Sequence, residues 1–247
     1  MAANRHTADK TTRSGRTSPA AGRATGRTAE RGTGRSAGHS RKATVSAASA
    51  VSASEAPEEQ IDRRTRILNA AVEHFGTLGY YGTSLQKIAT SVGLTKAGVL
   101  HYVGSKEGLL RLVLTEMYDQ ETNELLRECA NQPRPLIAAM FRANVAINAK
   151  RPNLVHMFST LSAEALDPNH PAHDYFAQRE RDGVEQAMKV NWAVPEGIDP
   201  AEVMLAGFSM MDGVQLRWLR KPGQDFQTMW AQCEDVLFPM PLWEGYR

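Results

Sequence analysis

Between Thr83 and Lys106 the chain gathers side chains suited to contact with a polyanion and with the edges of stacked bases. Lys96 can donate to guanine O6 and N7, while Ala97 or Leu100 offers apolar surface to a thymine methyl. Gly98 costs about 1 kcal/mol of helix propensity, which is tolerable where backbone must come close to a groove. Lys106 is anomalous in another way: it falls in the first turn of a helix, where the macrodipole disfavours a cation. A phosphate beside it would remove the anomaly. Singly, each lysine also reads as a solvated charge; as a set they point to duplex recognition rather than catalysis. The chain has no Gly-rich phosphate loop, no H-E-x-x-H and no nucleophile elbow. His74, His156 and His170 form no constellation, and Ser105 and Lys106 are adjacent rather than spaced for catalysis. Cys129 and Cys233 have neither metal nor redox spacing. No enzyme activity, metal or cofactor is expected.

The elements that must carry these residues are short helices. Leu85, Ile88, Ala89 and Val92 recur at helical spacing, with Thr83 or Ser84 placed to cap the first turn. Gly93 breaks the pattern, and a second helix follows with Thr95 as N-cap and Val99 as its buried residue. Two short helices joined by a glycine-containing turn make a helix-turn-helix, whose second helix enters the major groove. The same pattern also fits an ordinary helical hairpin. Gly104-Ser105-Lys106-Glu107 then supplies a stop, a cap and an early acid for another helix. Upstream, a helical pattern begins at Pro57 and carries Ile67, Leu68, Ala71, Phe75 and Leu78 on one face, with Gly79 just past its end. Arg63, Arg64 and Arg66 near its start are within reach of a phosphate or form a solvated face.

Gly79-Tyr80, Thr83, Ile88-Ala89, Gly93-Leu94-Thr95, Val99-Leu100-His101-Tyr102-Val103 and Ser105-Lys106-Glu107 together resemble the DNA-binding domain of the tetracycline-repressor-like (TetR) family. The resemblance covers roughly residues 63–110. It departs at Leu100, usually tyrosine, at Val103, usually phenylalanine, and at Ala97, where a glycine is common. It implies an all-α fold: a three-helix helix-turn-helix domain followed by a helical effector-binding and dimerisation domain. The candidate DNA-binding set is Thr83, Ser84, Thr95, Lys96, Ala97, Gly98, Leu100, His101, Tyr102 and Lys106. By resemblance, Thr83, Tyr102 and Lys106 hold phosphates and His101 touches base or backbone. Such contacts set register without reading sequence.

The chain divides into three regions. Residues 1–57 are Ala/Gly/Ser/Thr/Arg-rich, with ten Lys/Arg against three Asp/Glu and Gly-Arg at 15–16, 22–23, 26–27 and 34–35. A segment with so few apolar side chains cannot offset its ordering entropy and is expected to be disordered. It is either a solvated tail or an arm whose arginines track phosphates or enter the minor groove. Residues 58–106 form the DNA-binding domain. Residues 107–247, with thirteen Lys/Arg against twenty Asp/Glu, form the effector domain and should face away from DNA.

In that last region the apolar spacing predicts helices over about 105–130, from Pro135 to Lys150, from Pro152, over about 172–192, from Pro200 and from Phe226, with Asp167-Pro168-Asn169-His170-Pro171 as a loop. The family resemblance, and more weakly a Met- and aromatic-rich set, suggests a pocket among Met117, Met140, Phe141, Asn144, His156, Phe158, Ser159, Trp192 and Phe208; the same set also fits plain core, and His156 a satisfied core histidine. The last two helices are the dimerisation candidates. Ala206, Gly207 and Gly213 are small enough for close approach, while Met210, Met211, Trp218, Phe226 and Trp230 supply apolar area or fill the subunit's own core.

The expected protein is a cytoplasmic homodimeric repressor on a palindromic operator, with half-sites about 34 Å apart. A small apolar or amphipathic ligand would release it, the helix after Ser105 carrying the displacement. The alternative is a helix-turn-helix regulator or architectural protein without a small-molecule effector, controlled by a protein partner. No run of apolar residues is long enough for a membrane span.

Overall fold

The computed structural model describes residues 57–247, with side chains from residue 60 onward. The basic segment 1–57 lies outside the described residues but for Pro57. The fold is all-α, as expected. Its helices are α1 (Pro57–Gly82), α2 (Leu85–Ser91), α3 (Lys96–Val103), α4 (Lys106–Leu112), a π-helical turn (Val113–Tyr118), α5 (Asp119–Ala130), α6 (Ile137–Ala149), α7 (Pro152–Glu164), α8 (His173–Ala187), α9 (Pro200–Leu219) and α10 (Phe226–Leu237). Among the described residues there is no strand, only an isolated bridge between Leu136 and Ala193.

Local chemistry accounts for most helix ends. Ser84, Thr95 and Ser105 each accept a hydrogen bond from the backbone N–H three residues on. Asp199 and Asp225 cap α9 and α10, and Pro152 and Pro200 open α7 and α9 from within the first turn, where their missing N–H costs nothing. Two outcomes differ from the sequence expectation. The helix expected over 105–130 passes through one π turn, so it comprises α4, the turn and α5. The helix expected to reach Trp192 ends at Ala187, because the Trp192 indole N–H folds back and donates to the Ala187 carbonyl at 2.7 Å.

Two apolar cores form. One gathers α1 to α4, the π turn, α7 and Ala172 around Phe75, Ile88, Val99, Leu109 and Leu161. The other gathers α5, α6, α9, α10 and the C-terminal residues around Phe141, Trp230, Phe238 and Trp243. The scaffold helix α1 therefore packs directly on α7, which lies far along the chain. At Gly76 the approach is so close that an added Cβ would stand 3.3 Å from the Met157 backbone nitrogen, and Thr160 donates to the Gly76 carbonyl at 3.0 Å.

Candidate nucleic-acid interface

α2 and α3 are set by a turn that only glycine suits. Gly93 sits at φ +72°, and the Leu94 N–H reaches back to the Ala89 carbonyl at 2.9 Å. Leu85, Ile88, Ala89, Val99 and Val103 point into the first core, which leaves the opposite faces outward. On α3 that outward face presents Thr95, Lys96, Ala97 and His101. Gly98 is partly covered, and a Cβ there would lie 3.3 Å from the Thr95 hydroxyl that caps the helix. Leu100 and Tyr102 are half-buried against the core. The His101 ring stands edge-on to Tyr102 at 5.5 Å.

Thr83 requires a correction. It is 2% exposed, and its hydroxyl donates to the Gly79 and His74 carbonyls, so it tethers α2 to α1 and turns no group outward. Ser84, one residue on, is exposed and is the cap.

At the start of α4, Lys106 holds its ammonium 4.0 Å from the centre of the Tyr80 ring, a cation–π contact. Burial pulls the ammonium below its usual range, while Glu107 and Glu164 push it back up. The Tyr80 hydroxyl donates to Glu107 at 2.7 Å. That bond, with the Glu107 backbone and Ser105, holds the Glu107 carboxyl below the usual carboxylate range.

The sequence motifs did not single out Gln86, Lys87 and Thr90, which are exposed on α2. Lys87 donates to the Gly82 carbonyl at 2.8 Å. The signal was available: Lys87, Lys96 and Lys106 each fall in the first turn of a short helix, the position singled out at Lys106 alone.

The residues suggested as a ligand pocket do not surround one cavity. Met140, Phe141, Asn144 and Trp192 are buried, with Met140, Phe141, Trp192 and partly buried Phe208 in the second core; Phe158 stacks on Tyr118 at 3.9 Å in the first. Tyr118 is buried, which pushes its hydroxyl up to about 12. Met117 lines an open groove of about 1000 Å³ between α1, the π turn, α5 and the start of α7. His156 and Ser159 line a separate cleft of about 370 Å³ with Leu216, Leu219 and Arg220, and His156 is exposed rather than in the core.

The dimer set also divides. Gly207 is buried because α9 presses on α6 there, and a Cβ would be driven into the Phe141 ring. Met211, Phe226 and Trp230 are core, Met210 is half-buried, and Trp218 stacks on Phe226 at 4.7 Å. Ala206 and Gly213 do face outward, alongside Leu205 at 52% and Leu216 at 40% exposure, which their spacing alone did not mark.

A helix-turn-helix resting on a scaffold helix, with capped short helices and lysines on their first turns, defines a DNA-binding domain. Residues 67–113 match the family described as "Bacterial regulatory proteins, tetR family". That segment is similar to the family, and the match covers less than half of the chain. The chain is 39% identical to the transcriptional regulator RutR of Escherichia coli K12 over 57 residues, 23% of this chain and 27% of RutR. The chain thus spans about a quarter of that relative's length. Among solved structures, one described as the molecular basis for control of antibiotic production by bacterial hormones shares 25% identity at a TM-score of 0.51, covering 72% of this chain and 96% of the other. AibR in complex with isovaleryl coenzyme A and operator DNA shares 23% identity at a TM-score of 0.54, covering 72% and 98%. Among the described residues no helix is long and apolar enough to cross a membrane, and no His/Cys/Asp/Glu group could hold a metal ion.

Proposed function

We propose that the chain is a homodimeric transcriptional regulator, a repressor that a small apolar or amphipathic molecule releases from a palindromic DNA operator. The observation that carries this reading is the outward face of α2 and α3, where Lys87 and Lys96 stand exposed on helix first turns that otherwise disfavour them, with half-buried Lys106 beside them on the Tyr80 ring. Lys96, Ala97 and His101 read the major groove; Ser84, Lys87, Thr95 and Lys106 meet phosphates. The division at residues 57 and 106 is one of labour, DNA contact before and effector response after, since α7 shares a core with α1. A second copy docks on the outward strip of α9 that holds Leu205, Ala206, Gly213 and Leu216. The 1000 Å³ groove joining α1 to α5 and α7 is the effector site best supported by geometry, because a molecule there touches both the DNA-binding scaffold and the helices behind it. AibR, which is similar in fold, was captured with an acyl-coenzyme A and operator DNA, in keeping with an amphipathic effector. Catalysis has no place in this reading, and the cytoplasm is where such a regulator works.

The second reading, a regulator without a small-molecule effector, is favoured by the packing of Met140, Phe141, Trp192 and Phe208 into core. The test is selection by the full chain of duplexes from a random-sequence library at low salt, with the mass of the complex measured. A two-fold symmetric consensus bound by an even number of chains is expected. A chain that selects no duplex, or binds only as a monomer without sequence preference, refutes the proposal.

A further inference from the structure

The corner where α1 hands the chain to the helix-turn-helix is gripped from the far side of the molecule. At Gly79 the backbone leaves the helix with φ +69°. Glu164, the last residue of α7, reaches this corner and accepts a hydrogen bond from the Tyr80 N–H at 2.6 Å. The positive φ calls for glycine at position 79, and a Cβ there would push the Glu164 carboxylate off its bond to Tyr80. Behind the corner lies His170, 3% exposed, with its ring edge-on to Tyr80 at 5.2 Å and to Tyr81 at 5.5 Å. Its Nδ1 accepts the Ala172 N–H at 3.1 Å, which assigns the proton of the neutral ring to Nε2. That Nε2 stands 3.5 Å from the Glu164 carboxylate and has no hydrogen-bond partner. Tyr80 carries the grip forward: its hydroxyl holds Glu107 and its ring holds Lys106.

We propose that Glu164 and His170 are positioning residues that lock the Gly79–Tyr80 corner, and through it Lys106, in the DNA-binding arrangement, and that protonation of His170 releases the lock. A protonated ring carries hydrogen on Nδ1 and can no longer accept from Ala172, so the loop loses its closing bond. The new cation draws the Glu164 carboxylate towards Nε2 and away from the Tyr80 N–H. The groups facing His170 are Tyr80 and Tyr81 from α1, Lys106 from α4, Glu164 from α7 and Asp167 from its own loop. Burial holds the imidazole below its ordinary value against the pull of Glu164 and Asp167, with Lys106 acting in the same direction as burial. The fold thus prefers the neutral ring. The stability this contributes is present above the ordinary imidazole value and is lost as pH falls below it.

The inference rests on the DNA-binding reading, and the test separates the two. Affinity of the full chain for a fluorescent duplex that it selects from a random library is followed from about pH 8 to about pH 5.5, alongside E164A, E164Q and H170Q. Exchange of the Tyr80 amide is measured without DNA over the same range. E164A should bind roughly three- to tenfold more weakly at the upper pH, while E164Q, which keeps an acceptor for the Tyr80 N–H, should bind as the unaltered chain does. The unaltered chain should lose affinity on acidification more steeply than H170Q; both proteins carry His101 on the DNA face, so their difference isolates His170. Tyr80 amide protection should fall with pH in the unaltered chain and stay level in H170Q. Equal losses in E164A and E164Q, or a pH profile unchanged by H170Q, overturn the lock. If E164A does not fold, the Tyr80 exchange profile with and without H170Q decides. If no duplex is selected, the DNA-binding reading fails and the same exchange profile still judges the lock.

Discussion

Replacing Lys96 with alanine should move stability and DNA affinity in opposite directions. Lys96 is exposed at the first position of α3, beside the positive end of the helix dipole and with no acidic residue in that turn. Removing the cation should stabilise the free chain by about 0.3–1 kcal/mol, with a further small gain from the higher helix propensity of alanine. On DNA the sign reverses. If Lys96 meets a phosphate, a dimer loses two such contacts, and the slope of log affinity against log salt should become shallower by about 1.8. Over a fourfold rise in salt the unaltered protein should then lose roughly tenfold more affinity than K96A. If Lys96 reads guanine instead, discrimination at one base pair of each half-site should fall by about 1–3 kcal/mol. Fluorescence anisotropy over a salt series, on the selected duplex and its single-base variants, measures both, and a thermal melt of the free protein measures the first term. A K96A protein that melts lower, with salt slope and base preference intact, would refute the assignment of α3 to the groove.

Three other outcomes test separate parts. Removing residues 1–57 should weaken DNA binding and flatten its salt dependence, because that segment carries ten Lys/Arg against three Asp/Glu; identical salt titrations with and without it would make it a bystander. Joint replacement L205E/L216E places like charges on the proposed contact strip of α9 and should give a helical monomer by sedimentation and circular dichroism; an intact dimer moves the interface elsewhere. G207A should cost about 1–3 kcal/mol in urea unfolding, since the added methyl is driven into the Phe141 ring, and an unchanged midpoint would mean that α9 shifts freely on α6.

The helix-turn-helix was legible because everything that specifies it is local. Caps at Ser84, Thr95 and Ser105 and glycines at 93 and 104 act within four residues, so the sequence alone carries their geometry. Thr83 was misplaced because its hydroxyl turns back onto α1, to the Gly79 and His74 carbonyls, and the cap position it shares with Ser84 in the sequence does not report that. The half after residue 106 was legible in its helices and not in its faces. α9 is apolar on more than one side, so its 3.6-residue period does not say which side turns inward. Gly207, Met211 and Val214 took the core side, and Leu205 and Leu216 the outer one, because the Phe141 ring of α6 leaves room only for a glycine at 207.

Local signals say nothing of how the two cores divide the helices between them, and that division sets the mechanics. α7 begins and ends by rules written in the sequence, Pro152 at one end and the Asp167-Pro168 loop beyond the other. Its choice of α1 as a partner rests on Gly76, Met157 and Thr160, which meet across more than eighty residues. Once that contact exists, the DNA-binding scaffold cannot tilt without disturbing α7. The run from α4 through the π turn at Val113–Tyr118 into α5 is one mechanical link between the halves, and the Arg64–Glu116 ion pair at 2.6 Å ties that turn to α1. Another link is the α1–α7 contact that ends at Glu164. A ligand in the open groove touches both, through Met117 on one wall and Leu154 on the other, so any response of the DNA face to that ligand is the joint outcome of the two links.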